Sequence, residues 1–186
     1  MATVSQMARK KTILKSHILD TAYEVVKTEG FEGFTARNIA KTMNCSTQPI
    51  YLEFKNMDDL KNELFAKVKD YLVETVFQKK RTDDAVLNTC LNYIHFAKEE
   101  PVFFRALFLG DELGADRMYA LPFEAMLAAF DQEAKTKGLS KAEKKQAFEK
   151  IWIVVYGTAA LVSQGLIKFD EKAVTANVKE TIAKVS

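Results

Sequence analysis

Residues 34–60, FTARNIAKTMNCSTQPIYLEFKNMDDL, decide the fold of this chain. Thr35 precedes an apolar run and reads as an N-cap, because its hydroxyl can accept from an unpaired backbone N–H of the first turn. Ala36, Ile39, Ala40 and Met43 then recur at i, i+3, i+4 and i+7, the buried stripe of a short helix. Asn44 follows, and Asn tolerates the left-handed backbone of a sharp turn. Ser46 or Thr47 can cap a second short helix. Pro49 suits its first turn, where a missing N–H loses no bond. Ile50 and Phe54 lie four apart and face inward, leaving Thr47, Gln48, Tyr51 and Lys55 outside. Asn56 caps a further helix, and Asp58 and Asp59 suit its positive end. The expected order is helix, tight turn, helix, running directly into a longer helix.

The outer set suits DNA. Gln bonds a base edge, while Ser, Thr, Tyr and Lys reach phosphate oxygens. Taken singly, each residue also fits the ordinary surface of a small helical subdomain. The ordered set of cap, stripe, turn, cap, proline, tyrosine and phenylalanine argues for DNA.

At these residues the chain resembles the tetracycline-repressor (TetR) family of bacterial transcription regulators, over roughly residues 11–64. The matching features are Glu29-Gly30-Phe31 at the end of the first helix, Thr-x-x-x-Ile-Ala from Thr35 to Ala40, and then Ser46, Tyr51, Phe54, Lys55 and Asn56. The resemblance implies roles by position. Thr35, Tyr51 and Lys55 would touch the DNA backbone, with Ser46 beside them. Arg37 would reach a base or a phosphate. Thr47, Gln48 and Pro49 would meet base edges. Three departures stand out: Asn44 where Gly is usual, Glu53 where His is common, and Met57 where Lys is frequent. The last two put DNA affinity and operator sequence in question, since a carboxylate is repelled by phosphates and one cation is missing.

Composition is that of a soluble globular chain: 186 residues, 48% hydrophobic and 28% charged, enough for a substantial core in one or two domains. Only 3 Pro and 7 Gly favour helices over sheet. The net charge of +2 is too small to argue for nucleic acid. Residues 1–56 carry 8 Lys and Arg against 5 Asp and Glu, a mildly basic head on a near-neutral body. Arg9-Lys10-Lys11 fits either an arm along DNA or a solvated tail. Two cysteines, Cys45 and Cys90, make no disulfide framework, and Cys90 falls in a core pattern. No apolar stretch follows the N-terminal basic residues, so no secretory signal is read. The longest apolar run, residues 151–162, falls short of the about 20 residues that span a bilayer. A cytoplasmic chain without membrane contact is expected.

The remaining pattern is all-α, with about nine helices in total. A first helix is expected over residues 11–28, with Leu14, Ile18, Ala22, Val25 and Val26 inward. The helix capped by Asn56 continues through Leu60, Leu64, Val68, Leu72 and Val76 as a rigid link to the body. Further helices are expected over residues 83–98, 101–109, 116–121 and 122–137, with a loop at 110–114. Ser140 and Glu143 form a capping box opening a long helix to Gln164, stopped at Gly165. Asp170 caps the last helix, with Val174, Val178, Ile182 and Val185 on one side. The division is a head, 1–56, and a ligand-binding and dimerisation body, 57–186.

Residues 151–162 are apolar on almost every face, and Gly157, Ala159 and Ala160 allow close helix approach, so a second copy is the expected cover. The resemblance agrees, because the last two helices of the family usually form a dimer interface. A twofold dimer implies a palindromic operator of double-stranded DNA, with recognition helices about 34–36 Å apart. By the same resemblance the body holds a pocket for an unknown small-molecule effector. Its aromatic and neighbouring residues are the candidates: Phe103, Phe104, Arg105, Phe108, Tyr119, Phe123, Met126, Trp152 and Tyr156. Arg105, Tyr119, Tyr156 and Gln164 are its polar handles.

Nothing points to an enzyme. The two histidines, His17 and His95, fall on different helices, no Cys/His pair has zinc spacing, and no glycine-rich phosphate loop is present. No catalytic residue, metal or cofactor is expected. The resemblance implies a repressor released by a largely apolar ligand. The alternative is a ligand-independent architectural DNA-binding protein, against which the large aromatic body argues.

Overall fold

The computed structural model describes residues 13–184 and is all-helical, with nine α-helices among those residues. The Arg9-Lys10-Lys11 cluster, the expected helix start at Lys11, and Val185 lie outside the described residues. α1 (Lys15–Glu29), α2 (Ala36–Thr42) and α3 (Gln48–Glu53) form the head. Ile18, Ala22, Val25, Val26, Ile39, Ile50 and Phe54 interlock at its centre, each almost wholly buried. Leu14, expected inward, stands 52% exposed just before α1.

Thr35 caps α2 by accepting from Asn38 N–H at 3.1 Å. Asn38 in turn donates to Glu29 Oε2 at 2.8 Å and to the Gly33 carbonyl at 3.0 Å, pinning α2 to the end of α1. Gly30 ends α1 with φ of 76°, a conformation that disfavours any Cβ. α2 closes in a Schellman turn. Cys45 N–H donates to the Ala40 carbonyl at 2.9 Å and Asn44 N–H to the Lys41 carbonyl at 3.0 Å, with Asn44 left-handed at φ of 53°. The expected hydroxyl cap of α3 is absent. Thr47 occupies the N-cap position, but its backbone is already helical and no side chain caps the helix. A hydroxyl reaches the N–H two or three residues on only from an extended N-cap.

α4 (Met57–Tyr71) opens on Asn56, whose side chain accepts from Asp59 N–H at 2.8 Å. Leu60, Leu64, Val68, Leu72 and Val76 are all buried, as the stripe requires. The rod is not uniform, however. At Leu72–Val76 it widens into a π turn, with Phe77 N–H donating to the Leu72 carbonyl at 2.9 Å. One inserted residue lets both Leu72 and Val76 stay inward while the chain turns toward α5.

The body is built around α5 (Ala85–Glu99), which is packed by α6 (Pro101–Phe108), α7 (Ala115–Gln132), α8 (Lys141–Ser163) and α9 (Glu171–Ala183). Every residue from Thr89 to Ala97 on α5 is buried. Its buried amide and imidazole are satisfied. Asn92 donates to the Lys79 carbonyl at 2.7 Å and accepts from Arg81 Nε at 2.7 Å. Asn88 accepts from Thr82 N–H at 2.7 Å, so the 77–84 loop is stapled to α5. His95 meets Glu171 at 2.9 Å, tying α5 to the start of α9.

Two helices were expected over residues 116–137, yet α7 is one helix that runs through Pro122 and ends at Gln132. Residues 133–139 form turns instead. An interior proline costs about 3 kcal/mol, but Met118, Leu121, Pro122, Met126, Ala129 and Phe130 all bury on one side of α7. That burial outweighs the proline. The capping box at Ser140, the stop at Gly165 and the Asp170 cap are present as the spacing requires.

Head and body share one continuous core. α1 packs on α6 through Tyr23 and Phe103, whose rings meet edge-on at 5.2 Å. Glu100, at the α5–α6 joint, pairs with Lys27 of α1 at 2.9 Å and accepts from the Tyr71 hydroxyl at the end of α4. Relief of the left-handed backbone gives a direct test. Asn44→Gly is expected to raise stability to urea by up to about 1 kcal/mol, and Asn44→Val to lower it by about 1–2 kcal/mol.

Candidate DNA interface and ligand cavity

α3 is a short helix with two inward anchors, Ile50 and Phe54, each 1% exposed. Its other side presents Gln48, Tyr51 and Lys55 to solvent, with Thr47 and Pro49 half-buried beside them. Ser46, Thr35 and Arg37 are exposed on the adjoining turn and helix. The hydroxyl of Thr35 accepts from Asn38, so its own hydrogen remains free to donate. Arg37, Lys41 and Lys55 have no acidic partner among the described residues, whereas Lys15, Lys27, Lys61 and Lys67 are each paired with a carboxylate. Among the described residues, the head's uncommitted cations therefore gather on α2 and around α3. Glu53 is exposed and Met57 half-buried.

Leu52 was missed. It is 75% exposed and stands four residues from Gln48, on the same side of α3 as Tyr51 and Lys55. The i, i+4 spacing carries that signal, but a leucine reads by default as core.

In the body, a cavity of about 460 Å³ lies among α5, α6, α7 and α8. Four candidates, Phe108, Tyr119, Trp152 and Tyr156, line it, together with Tyr93, Leu107, Met118, Pro122 and Glu149. The others lie elsewhere. Phe103, Phe104 and Met126 are 0% exposed and fill the core. Phe123 sits edge-on to Phe148 at 4.9 Å, outside the lining. Arg105 donates to the Ser163 carbonyl at the end of α8 and borders a separate polar cleft beside Phe31 and Glu32. Gln164 bonds back to the Ala160 carbonyl at 3.2 Å. Periodicity marks which residues of a helix face inward, but not which neighbour leaves a gap there.

Tyr156 donates its O–H to the Phe108 carbonyl at 2.8 Å. Burial raises the Tyr93 phenol well above its ordinary pKa and raises Tyr156 as well. Tyr119 is raised by burial and then by the Glu149 carboxylate. No cluster of metal-ligating side chains exists among the described residues. No helix there is long and apolar enough to cross a membrane.

Comparison with known proteins agrees with this geometry. The family model for bacterial regulatory proteins of the tetR family matches residues 18–64. An uncharacterized HTH-type transcriptional regulator of Bacillus subtilis, YobS, is 26% identical over 107 residues, 55% of this chain. That match spans only 56% of YobS. Among solved structures, a TetR-family protein from Vibrio parahaemolyticus superposes with a TM-score of 0.65 at 16% identity, covering 91% of this chain and 96% of that one. A TetR-family regulator from Marinobacter aquaeolei gives 0.60 at 17%, covering 90% and 93%. The fatty acid degradation regulator FadR from Bacillus halodurans gives 0.58 at 20%, covering 95% and 96%. The described residues form a helix-turn-helix head on a helical body. Residues 18–64 match the tetR family, and the fold of the chain is like that of solved TetR-family proteins.

The raised tyrosines set an alkaline limit. Tyr23, Tyr71 and Tyr93 are all raised above 10.0 in the folded chain, chiefly by burial. Their protonated forms contribute stability in full below the unfolded pKa of 10.0, and that stability is lost as pH rises beyond it. Thermal melts from pH 8 upward are expected to fall steeply above about pH 10, and Tyr71→Phe to make that fall shallower.

Proposed function

We propose that this regulator is a homodimeric repressor that binds a palindromic operator through α3 and is released when an effector fills the body cavity. The exposed side of α3 with Gln48, flanked by the unpaired cations Arg37 and Lys41 of α2 and by Lys55, is the observation that carries the DNA reading. Gln48, Thr47 and Pro49 meet base edges. Thr35, Ser46, Tyr51 and Lys55 hold phosphates, and Arg37 reaches a phosphate or a base. Leu52 adds an apolar surface for thymine methyls. The functional division is the one at residue 56, with α4 shared.

The dimer reading rests on α8. Leu161 is 41% exposed, with Val154, Gly157 and Ala160 half-buried nearby on the helix, and Leu166 and Ile167, 66% and 40% exposed, follow its end. A Cβ on Gly157 would meet nothing within 4 Å. A helix-interior glycine costs about 1 kcal/mol relative to alanine, and nothing in its own chain requires this one. Close approach of a second α8 does. α9 packs on α8 and would complete the pair of helices each copy contributes.

Release is a population shift between conformers whose heads match or mismatch the groove spacing. α7 forms one wall of the cavity and packs on the π turn that ends α4, so a filled cavity bears on the link to the head.

The test is fluorescence anisotropy on the DNA flanking the chain's own gene, against salt, with random DNA as competitor. Specific binding that falls steeply with salt is expected. Binding no tighter than to random DNA sinks the reading for that operator. Lys55→Ala and Tyr51→Phe are expected to weaken all sequences alike. Gln48→Ala should relax preference at one base position by about 1–3 kcal/mol. Gly157→Leu and Leu161→Glu should yield folded monomers by analytical ultracentrifugation, with operator affinity lost together with the dimer.

A further inference from the structure

One residue lining the cavity carries a buried polar atom that no other described residue satisfies. Tyr93 on α5 is 0% exposed, and its phenol oxygen has no hydrogen-bond partner among the described residues. The ring cannot turn away to find one. It is clamped by Phe104, Phe108 and Trp152 at centroid distances of 5.1, 4.9 and 4.4 Å. A phenol is a better donor than acceptor, because the ring withdraws its lone pair, so the stranded group is above all an O–H. The neighbouring Tyr156 has given its only hydrogen to the Phe108 carbonyl and does not compete for an acceptor.

The charge of the wall is equally one-sided. Glu149 lines the cavity, and no Lys, Arg or His is among the lining residues. Glu149 is itself exposed and pairs with Lys145 at 3.3 Å on the surface. An anion entering here leaves water without meeting a cation and approaches a carboxylate. Five rings, Tyr93, Phe108, Tyr119, Trp152 and Tyr156, supply flat apolar surface.

We propose that this cavity takes an uncharged, ring-containing molecule bearing one hydrogen-bond acceptor, a carbonyl or ether oxygen, that accepts the Tyr93 O–H, and that it refuses carboxylates. The proposal rests on the cavity being the effector site and names the chemistry of that effector. It also assigns Tyr93 as the residue that distinguishes an acceptor-bearing molecule from a plain hydrocarbon.

Trp152 is the single tryptophan of the chain and lies in the wall, so its fluorescence reports on this cavity. Three probes of similar shape are titrated into the full chain without DNA: biphenyl, biphenyl methyl ketone and biphenyl carboxylate. Calorimetry is run alongside. The ketone is expected to bind roughly tenfold tighter than the hydrocarbon, and the carboxylate more weakly than either. Tyr93→Phe keeps the ring, and its folding is checked by circular dichroism. It is expected to abolish the ketone's advantage while leaving biphenyl within about twofold. The proposal is overturned if the carboxylate binds as well as the ketone, if the ketone's advantage survives Tyr93→Phe, or if no probe binds. Repeating the titration with operator DNA separates the two readings. A ketone that binds through Tyr93 without displacing DNA upholds the cavity chemistry and removes the effector role. No binding of any probe removes the proposal and leaves the DNA reading standing.

Discussion

Burial of α5 is the constraint on which the rest of the molecule depends. A helix with an unbroken buried run from Thr89 to Ala97 must be covered on all sides, and it carries Asn92 and His95 into the interior. Each buried polar group must find a partner or destabilise the fold. Asn92 takes the backbone of the 77–81 segment, and His95 takes Glu171. Those bonds place the end of α4 and the start of α9. The hydrophobic faces of α6, α7 and α8 complete the shell. The Tyr93 hydroxyl is the buried polar group of α5 left without a hydrogen-bond partner among the described residues, and Tyr93 lines the cavity.

The head is held to this body at two places. α4 runs from one to the other, and α1 docks on α6 through Tyr23, Phe103 and the Lys27–Glu100 pair. Glu100 joins the ends of three helices, since it also accepts from Tyr71. A change at the α5–α6 joint thus reaches both connections at once. The π turn at Leu72–Val76 lies at the body end of α4, where a helix of irregular pitch yields more readily than a regular one. The proposed release would therefore act through a small packed joint rather than a single rod.

Local chemistry explains why the head was so legible. The Thr35 cap, the Schellman turn at Asn44, the anchors Ile50 and Phe54, and the Asn56 cap all involve residues within five positions of one another. Such contacts leave their pattern in contiguous sequence. The failures follow the same logic. The hydroxyl cap expected from Ser46 or Thr47 is absent, because Thr47 at the N-cap position is already helical rather than extended. The break expected at Pro122 was overridden by burial of the α7 face, a force from distant residues.

The sequence by itself determined that the chain is all-α, where the helix-turn-helix lies, and which side of α3 faces out, because caps and periodicity are short-range. Only the tertiary structure decided the cavity. Its walls come from four helices, and the choice of Tyr93 over Phe103 or Phe104 as a lining residue depends on how those helices are rotated against each other. Aromatic residues of equal hydrophobicity read alike along the chain. Packing alone separates the one that fills the core from the one that borders a gap.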